Sequence, residues 1–370
     1  MAKLTWEIFN VTQSNLDVTQ YVRSLSFTQG RPTALSPYSG NSASITMSSY
    51  GGIENYVNVN DQLKFLCYDP ALFPRELFLG RITSRTFDDN PGDGINSTMT
   101  VSLNDAMLQA GMANLQNQAL AEQFLQINEI DDLLPQIAIG PAATNVVMST
   151  GTFTVNANQR INEIIFGDRG LLNSFNGTTV YYPPSDFDSL INTSIDFGRT
   201  ASATQIAYQD FNRVEAASNS LFYTQATVTG SASTVTKTAT DYAYYYGVRT
   251  FTATTAQSNL VSETAEWYAN TFTDPEIVVL NMSFTDVAQN DTALTELNTL
   301  FSFTKFVEVR YTPPGGVSTT GYYYPEQITF NATTSQTTID MVMTPLTYYA
   351  NFILDDSVFG VLDTDRLGVS

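Results

Sequence analysis

The chain has 370 residues, 43% of them hydrophobic, which is long for one ordinary domain and apolar enough for real cores, so two or three domains are expected. Only 14% are charged, so the surface must be largely Ser, Thr, Asn and Gln. A net charge of -20 excludes a general nucleic-acid binder, which needs clustered Lys and Arg, and suits a surface that nucleic acid passes without sticking.

The first predicted strands cover residues 4–11 and 22–28, followed by a Pro/Gly/Ser loop over residues 31–40. The stretch from Asn41 to Asp105 then reads as the return strands of a small β-barrel. Ile45 and Met47 alternate with polar neighbours, as do Leu63, Phe65 and Cys67, and later Met99, Val101 and Leu103. Strand side chains point to opposite faces with period two, so each run offers one apolar face. Turn formers separate the runs: Gly51-Gly52, then Asn58 to Asp61, then Asp89 to Gly94. Asn104 or Asp105 can cap a helix over residues 106–117. A second helix is predicted over 119–134, stopped by Pro135, and a short one over 159–168.

Residues 171–175 and 178–182 flank Asn176-Gly177, a strong hairpin signal. Two β runs are expected between Phe211 and Thr229, and a strand over residues 242–253 running through Tyr244, Tyr245 and Tyr246. Residues 257–272 read as a helix carrying Leu260, Val261, Ala265, Trp267 and Tyr268. Barrel-like text returns from Glu276, with a short helix marked by Ala293, Leu294, Leu297 and Phe301. Strands follow over 306–310 and 321–330, and Ile339, Met341 and Met343 alternate in a last one.

The two ends share an order of parts. Runs at 61–67, 78–86 and 97–103 correspond in spacing to runs at 305–311, 321–330 and 336–343. The expected fold class is mainly β with an α+β insert: two tube-like β-barrel domains flanking a central α+β region. The expected domains are an N-terminal β-barrel over 1–105, an insert over 106–273, a second β-barrel over 274–350, and a tail over 351–370. Three such chains place six barrels in a ring, which seats a threefold assembly on a sixfold tube.

Histidine is absent. That removes Ser-His-Asp and Cys-His catalysis, HExxH sites and most zinc sites. The one cysteine, Cys67, allows no intrachain disulfide and reads as a buried structural thiol. The N-terminus carries no signal-peptide pattern, and no window reaches the roughly eighteen apolar residues of a membrane span. The expectations are therefore no enzyme activity, no catalytic, metal or cofactor-binding residues, no cofactor, no membrane insertion, and synthesis in a cytosol before assembly into something larger.

Residues 88–94, with Asp88, Asp89 and Asp93, superficially suggest a calcium loop but lack its spaced ligands and terminal Glu, so a hairpin turn is favoured. Arg75, Arg81 and Arg85 form the densest basic group; a solvated strand face is favoured over docking onto an acidic neighbour. Tyr242, Tyr244 to Tyr246 and Tyr322 to Tyr324 could stack on sugars, but packing in a sheet or interface is favoured. Asp131-Asp132 and Asp355-Asp356 are adjacent acids, which say nothing about the across-cleft spacing of a glycosidase.

Several stretches, taken in order, carry a resemblance. They are residues 77–82 feeding a strand, 99–106, 163–180 with its short helix and hairpin, Arg249-Thr250-Phe251 leading to Ala265-Glu266-Trp267-Tyr268-Ala269, and 352–362 ending in Asp365-Arg366-Leu367-Gly368. The chain resembles the minor tail proteins of long-tailed bacteriophages, of the tail-hub or baseplate-hub type. The resemblance implies a virion component at the tail tip, a homotrimer ringing the channel. Implied partners are the distal tail protein or tail tube, the tape-measure protein, and a spike, fibre or receptor-binding protein, with genomic DNA passing through. The other reading is a carbohydrate-binding, adhesive tail-tip or cell-surface β protein.

Overall fold

In a computed structural model, the described residues are 4–38, 40–69, 71, 74–89, 97–105, isolated short segments between 118 and 215, and 221–349 with short interruptions. Their core is one 13-stranded sheet.

Its first half contains β1 (Thr5–Asn10), β2 (Leu16–Asp17), β3 (Val22–Gly30), β4 (Ser42–Ser48), β5 (Gln62–Tyr68), β6 (Pro74–Asp88) and β7 (Thr98–Asn104). The alternation in the sequence is the alternation in burial: Ile45, Met47, Leu63, Cys67, Met99, Val101 and Leu103 are all fully enclosed. Two of the three expected turns fall where the sequence places them; the third, over 90–94, lies outside the described residues. Gly51 and Gly52 take φ of 81° and 77°, and Asn60 takes 75°, a conformation that Gly and Asn tolerate best.

Short strands follow: β8 (Gln118–Leu120), β9 (Ile137–Ile139) and β10 (Gly151–Phe153), then β11 (Leu171–Phe175) and β12 (Thr178–Tyr182). The predicted hairpin is present, since β11 and β12 pair antiparallel from Leu171↔Tyr182 to Phe175↔Thr178. Residues 118–120, mostly inside a predicted helix, are instead a strand paired with β10. The helix over 106–117 and the rest of 119–134 lie outside the described residues. Of 159–168, Asn162 and Glu163 are helical.

Next come β13 (Ile191–Asn192), β14 (Asp196–Gly198), β15 (Gln205–Ala207) and β16 (Asp210–Glu215). A small unit is built from β17 (Gln225–Thr229), β18 (Thr234–Thr238), α1 (Thr240–Tyr246), β19 (Thr250–Thr254) and α2 (Val261–Thr271). The helix α2 buries Val261, Ala265, Tyr268 and Ala269, the spacing of one helical face, against Ala226, Val228 and Phe251. The predicted strand over 242–253 is present only at its end, where Thr250–Thr254 forms β19, and is corrected before that. Residues 240–246 are helical because no core is offered to a strand face there: Tyr244 and Tyr245 are 84% and 77% exposed. Asp241 lies in the first turn, and Gly247, at φ 79°, closes the last by donating its N–H to the Ala243 carbonyl.

The chain then returns to the large sheet through β20 (Val278–Thr285), α3 (Asp291–Leu300), β21 (Phe306–Tyr311), β22 (Thr319–Thr333) and β23 (Thr337–Pro345). The full path is β16-β20-β23-β22-β3-β4-β7-β6-β5-β1-β2, with β21 beside β22. Where two closed barrels were expected, the described residues form a single open path without a closed barrel. The cause is the strand β3, which pairs on one edge with β4 and on the other with β22, fusing the two halves.

The repeated order of parts is visible strand by strand. The antiparallel run β3-β4-β7-β6-β5 matches β16-β20-β23-β22-β21. The match extends to register. The β6–β7 pair steps from Ile82↔Leu103 to Ser84↔Ser102 across an extra residue. The β22–β23 pair steps from Pro325↔Met343 to Gln327↔Val342 in the same way. Both long strands therefore carry a bulge, a bend that lets one strand serve two neighbours, at the same place.

Candidate assembly interface

The joint between the halves shows how such modules bind one another. The β22–β3 register runs from Gln327↔Gly30 to Thr333↔Ser24. On the inward face, Phe27 lies opposite Phe330, their rings stacked with centroids 5.0 Å apart. Phe27 also meets Phe78 at 5.8 Å and Phe65 at 6.0 Å, so one aromatic side chain belongs to both cores. On the outward face, the Thr28 and Thr329 hydroxyls are 3.1 Å apart, and Ser26 donates to Asn331 at 2.7 Å.

The end of the joint is polar and buried. The Arg31 N–H donates to the Glu326 carbonyl at 2.8 Å, and the Arg31 guanidinium donates to the Glu326 carboxylate at 2.8 Å. Both side chains are almost wholly enclosed. Arg31 also donates to the Tyr349 hydroxyl at 3.1 Å and stands 4.6 Å from the Tyr38 ring centre. Burial disfavours the Arg31 charge, but Glu326, together with Tyr38 and Tyr324, outweighs it and holds the guanidinium above its ordinary value. Burial pushes the Glu326 carboxyl up, and Arg31 opposes that shift. Gly30 precedes this pair at φ +89°; a Cβ there would sit 1.9 Å from the Glu326 carbonyl oxygen. Sequence reading missed this pair because its members are 295 residues apart.

The sequence-predicted groups fall out as follows. Arg75, Arg81 and Arg85 do not form one basic face, because bulges in β6 change its facing. Arg81 lies opposite the outward-facing Gln62, while Arg75 and Arg85 lie opposite the inward-facing Cys67 and Val101. Arg85 donates to the carbonyls of Glu54 and Val57, both at 2.7 Å, and covers Phe87 at 5.4 Å. Burial pushes the Cys67 thiol up, with Asp286 and Asp69 adding to it, so the thiol is inert. The tyrosine groups separate: Tyr323 and Tyr324 are buried, whereas Tyr242, Tyr244, Tyr245 and Tyr246 are exposed on α1. The turn at 90–94, Asp131-Asp132 and the tail at 351–370 lie outside the described residues. No cluster of metal-ligating side chains occurs among the described residues, and no described helix is long and apolar enough to cross a membrane.

Comparison with solved structures follows the same lines. The tail protein from Neisseria meningitidis MC58 superposes with a TM-score of 0.64, covering 93% of this chain and 96% of that one, at 9% identity. The 43 kDa tail protein of prophage MuSo2 from Shewanella oneidensis gives 0.60 over 92% and 97%, at 8% identity. No protein-family model and no curated protein matches the sequence. The chain has the fold of a phage tail protein.

Proposed function

We propose that this chain is a structural virion protein, the hub at the tip or baseplate of a phage tail. Three copies form a ring that continues the tail channel and anchors a spike, fibre or receptor-binding protein. One observation carries the reading: a phage-tail fold in which a single chain supplies two β modules of equal strand order and register. A chain with two like modules is what a threefold ring needs to meet a sixfold tube. In this reading residues 1–105 and 274–350 carry the tube-like modules, β16 joins the second from within the 106–273 segment, and 351–370 forms the tail. The ring's neighbours are the distal tail protein or tail tube, the tape-measure protein and the receptor-binding apparatus. Genomic DNA passes along a bore that the net charge of -20 makes acidic, repelling it over about 8 Å at physiological salt. The role is geometric, without a catalysed reaction.

Imaging of intact particles tests this. The expected result is three copies around the axis at the tail tip; copies along the tube, or a different symmetry, would refute it. One feature favours a second reading, an adhesive carbohydrate-binding protein: the exposed tyrosines of α1. Glycan binding by the isolated chain, abolished by Tyr244→Ser with Tyr245→Ser, would establish that reading instead.

A further inference from the structure

Among the described residues the internal match leaves one position filled in the second module and vacant in the first. Beyond its bulge, β22 is flanked by β23 on one edge and by β3 on the other. Beyond its own bulge, β6 is flanked by β7, and its other edge has no backbone partner among the described residues past Ile82, which still bonds Asn60 and Asp61. The burial follows. Ile328 and Phe330 are 1% and 0% exposed. Phe87, which occupies the place of Phe330 in the repeat, is 41% exposed. The equivalent of β3 is β16, and β16 is the last strand of the sheet path, pairing among the described residues only with β20. Among the described residues the chain thus ends in one open acceptor edge and one open donor strand, while the matching edge and strand, β22 and β3, are already joined.

We propose that β16 of one copy pairs antiparallel with residues 84–88 of β6 in the next copy, repeating between chains the β3–β22 joint made within the chain. This deepens the hub reading and rests on it for the number of copies.

The register is transferable residue by residue. Phe27 pairs with Ala43 and Phe330, and Ala43 pairs with Leu103. The corresponding chain in the second module runs from Met343 to Leu280 to Arg213. That sets Arg213 opposite Phe87, Val214 opposite Thr86, Glu215 opposite Arg85 and Asn212 opposite Asp88. Arg85 opposite Glu215 is a favourable cross-strand charge pair, and Phe87 already accepts a guanidinium over its ring from Arg85. A long open edge carrying an exposed Phe, without proline or lysine to blunt it, is what proteins otherwise avoid. The contact joins unlike surfaces, so it propagates head to tail and must close into a ring to leave no edge open.

Engineered disulfides test the register. The position of Thr86 and Val214 corresponds to Thr329 and Thr28, whose hydroxyls are 3.1 Å apart on the outward face. Full-length chain carrying Thr86→Cys and Val214→Cys is oxidised gently, with buried Cys67 as a silent background. Links between chains should form, at a yield about tenfold above an out-of-register Thr86→Cys/Asn212→Cys control, because bridging needs Cα atoms within about 7 Å. Thr28→Cys with Thr329→Cys should link within one chain and shows that oxidation works. If that control closes while the chains stay unlinked, the pairing is wrong. Oligomers that form without the 86–214 link would also overturn the pairing, yet leave the threefold hub standing. Linked rings of another size would keep the pairing and overturn the threefold count.

Discussion

Phe27 and Phe330 face each other across the joint between the two modules, stacked at 5.0 Å with planes 14° apart. Phe27 is 3% exposed and Phe330 0%. Truncating a buried Phe to Ala costs about 3–5 kcal/mol. Phe27→Ala and Phe330→Ala should each lose that much in denaturant unfolding. Because the two rings share a contact, the double variant should lose less than the sum. Additive losses would mean that the stack does not couple the modules.

Gly30 and Gly247 separate two costs that usually travel together. Both have positive φ, at 89° and 79°. A Cβ at Gly247 meets nothing within 4 Å, whereas one at Gly30 meets the Glu326 carbonyl at 1.9 Å. Gly247→Ala should cost only the backbone strain of its φ 79°, ψ 168° conformation, a region open essentially to glycine alone, at about 1–3 kcal/mol. Gly30→Ala should cost clearly more, since the β3–β22 joint must open to admit it. Equal losses in thermal unfolding would remove the close approach from the argument.

The Arg31–Glu326 pair predicts an asymmetric double-mutant cycle. Arg31→Met strands a buried carboxylate and should cost about 3–5 kcal/mol. Adding Glu326→Leu should recover much of it, since an apolar pair needs no desolvated charge. The pH dependence has a sign. A carboxyl held above its ordinary value contributes stability below that value and loses it as pH rises through the folded one. Arg31→Met removes the opposing attraction, so the Arg31→Met chain should gain more stability on acidification than the native chain does. A parallel pH response in both would contradict this.

How far the sequence was legible depends on distance along the chain. Period-two alternation placed β4, β5, β7 and β23, because each has one face on the core and one on water. The helical face of α2 and the β11–β12 hairpin were equally local signals. The tyrosine run misled, because strand propensity reflects packing on a half-buried surface and 244–245 have none. The joint was invisible: nothing near Gly30 or Phe27 announces a partner about 300 positions later. Spacing suggested the duplication, but the two matched bulges, which made it residue-specific, depend on strand pairing alone.

Tyr68 offers a test on the opposite side of β5. It lies across from Thr5 at the strand end, and its hydroxyl donates to the Glu7 carboxylate at 2.5 Å. That bond favours the protonated phenol, and with burial and the nearby charges of Glu7 and Asp17 it pushes the hydroxyl up to about 12. A group raised in the folded state contributes stability below its unfolded value, near 10, and loses it as pH rises through about 12. In the native chain, then, stability should fall across that alkaline window. Tyr68→Phe should remove this part of the slope together with the stability it supplies at neutral pH, a loss kept small because the pair is only half-buried and water screens it. Spectrophotometric titration should show one phenol fewer ionising near pH 12 in Tyr68→Phe. An unchanged alkaline slope in the Phe variant would detach Tyr68 from the Glu7 interaction.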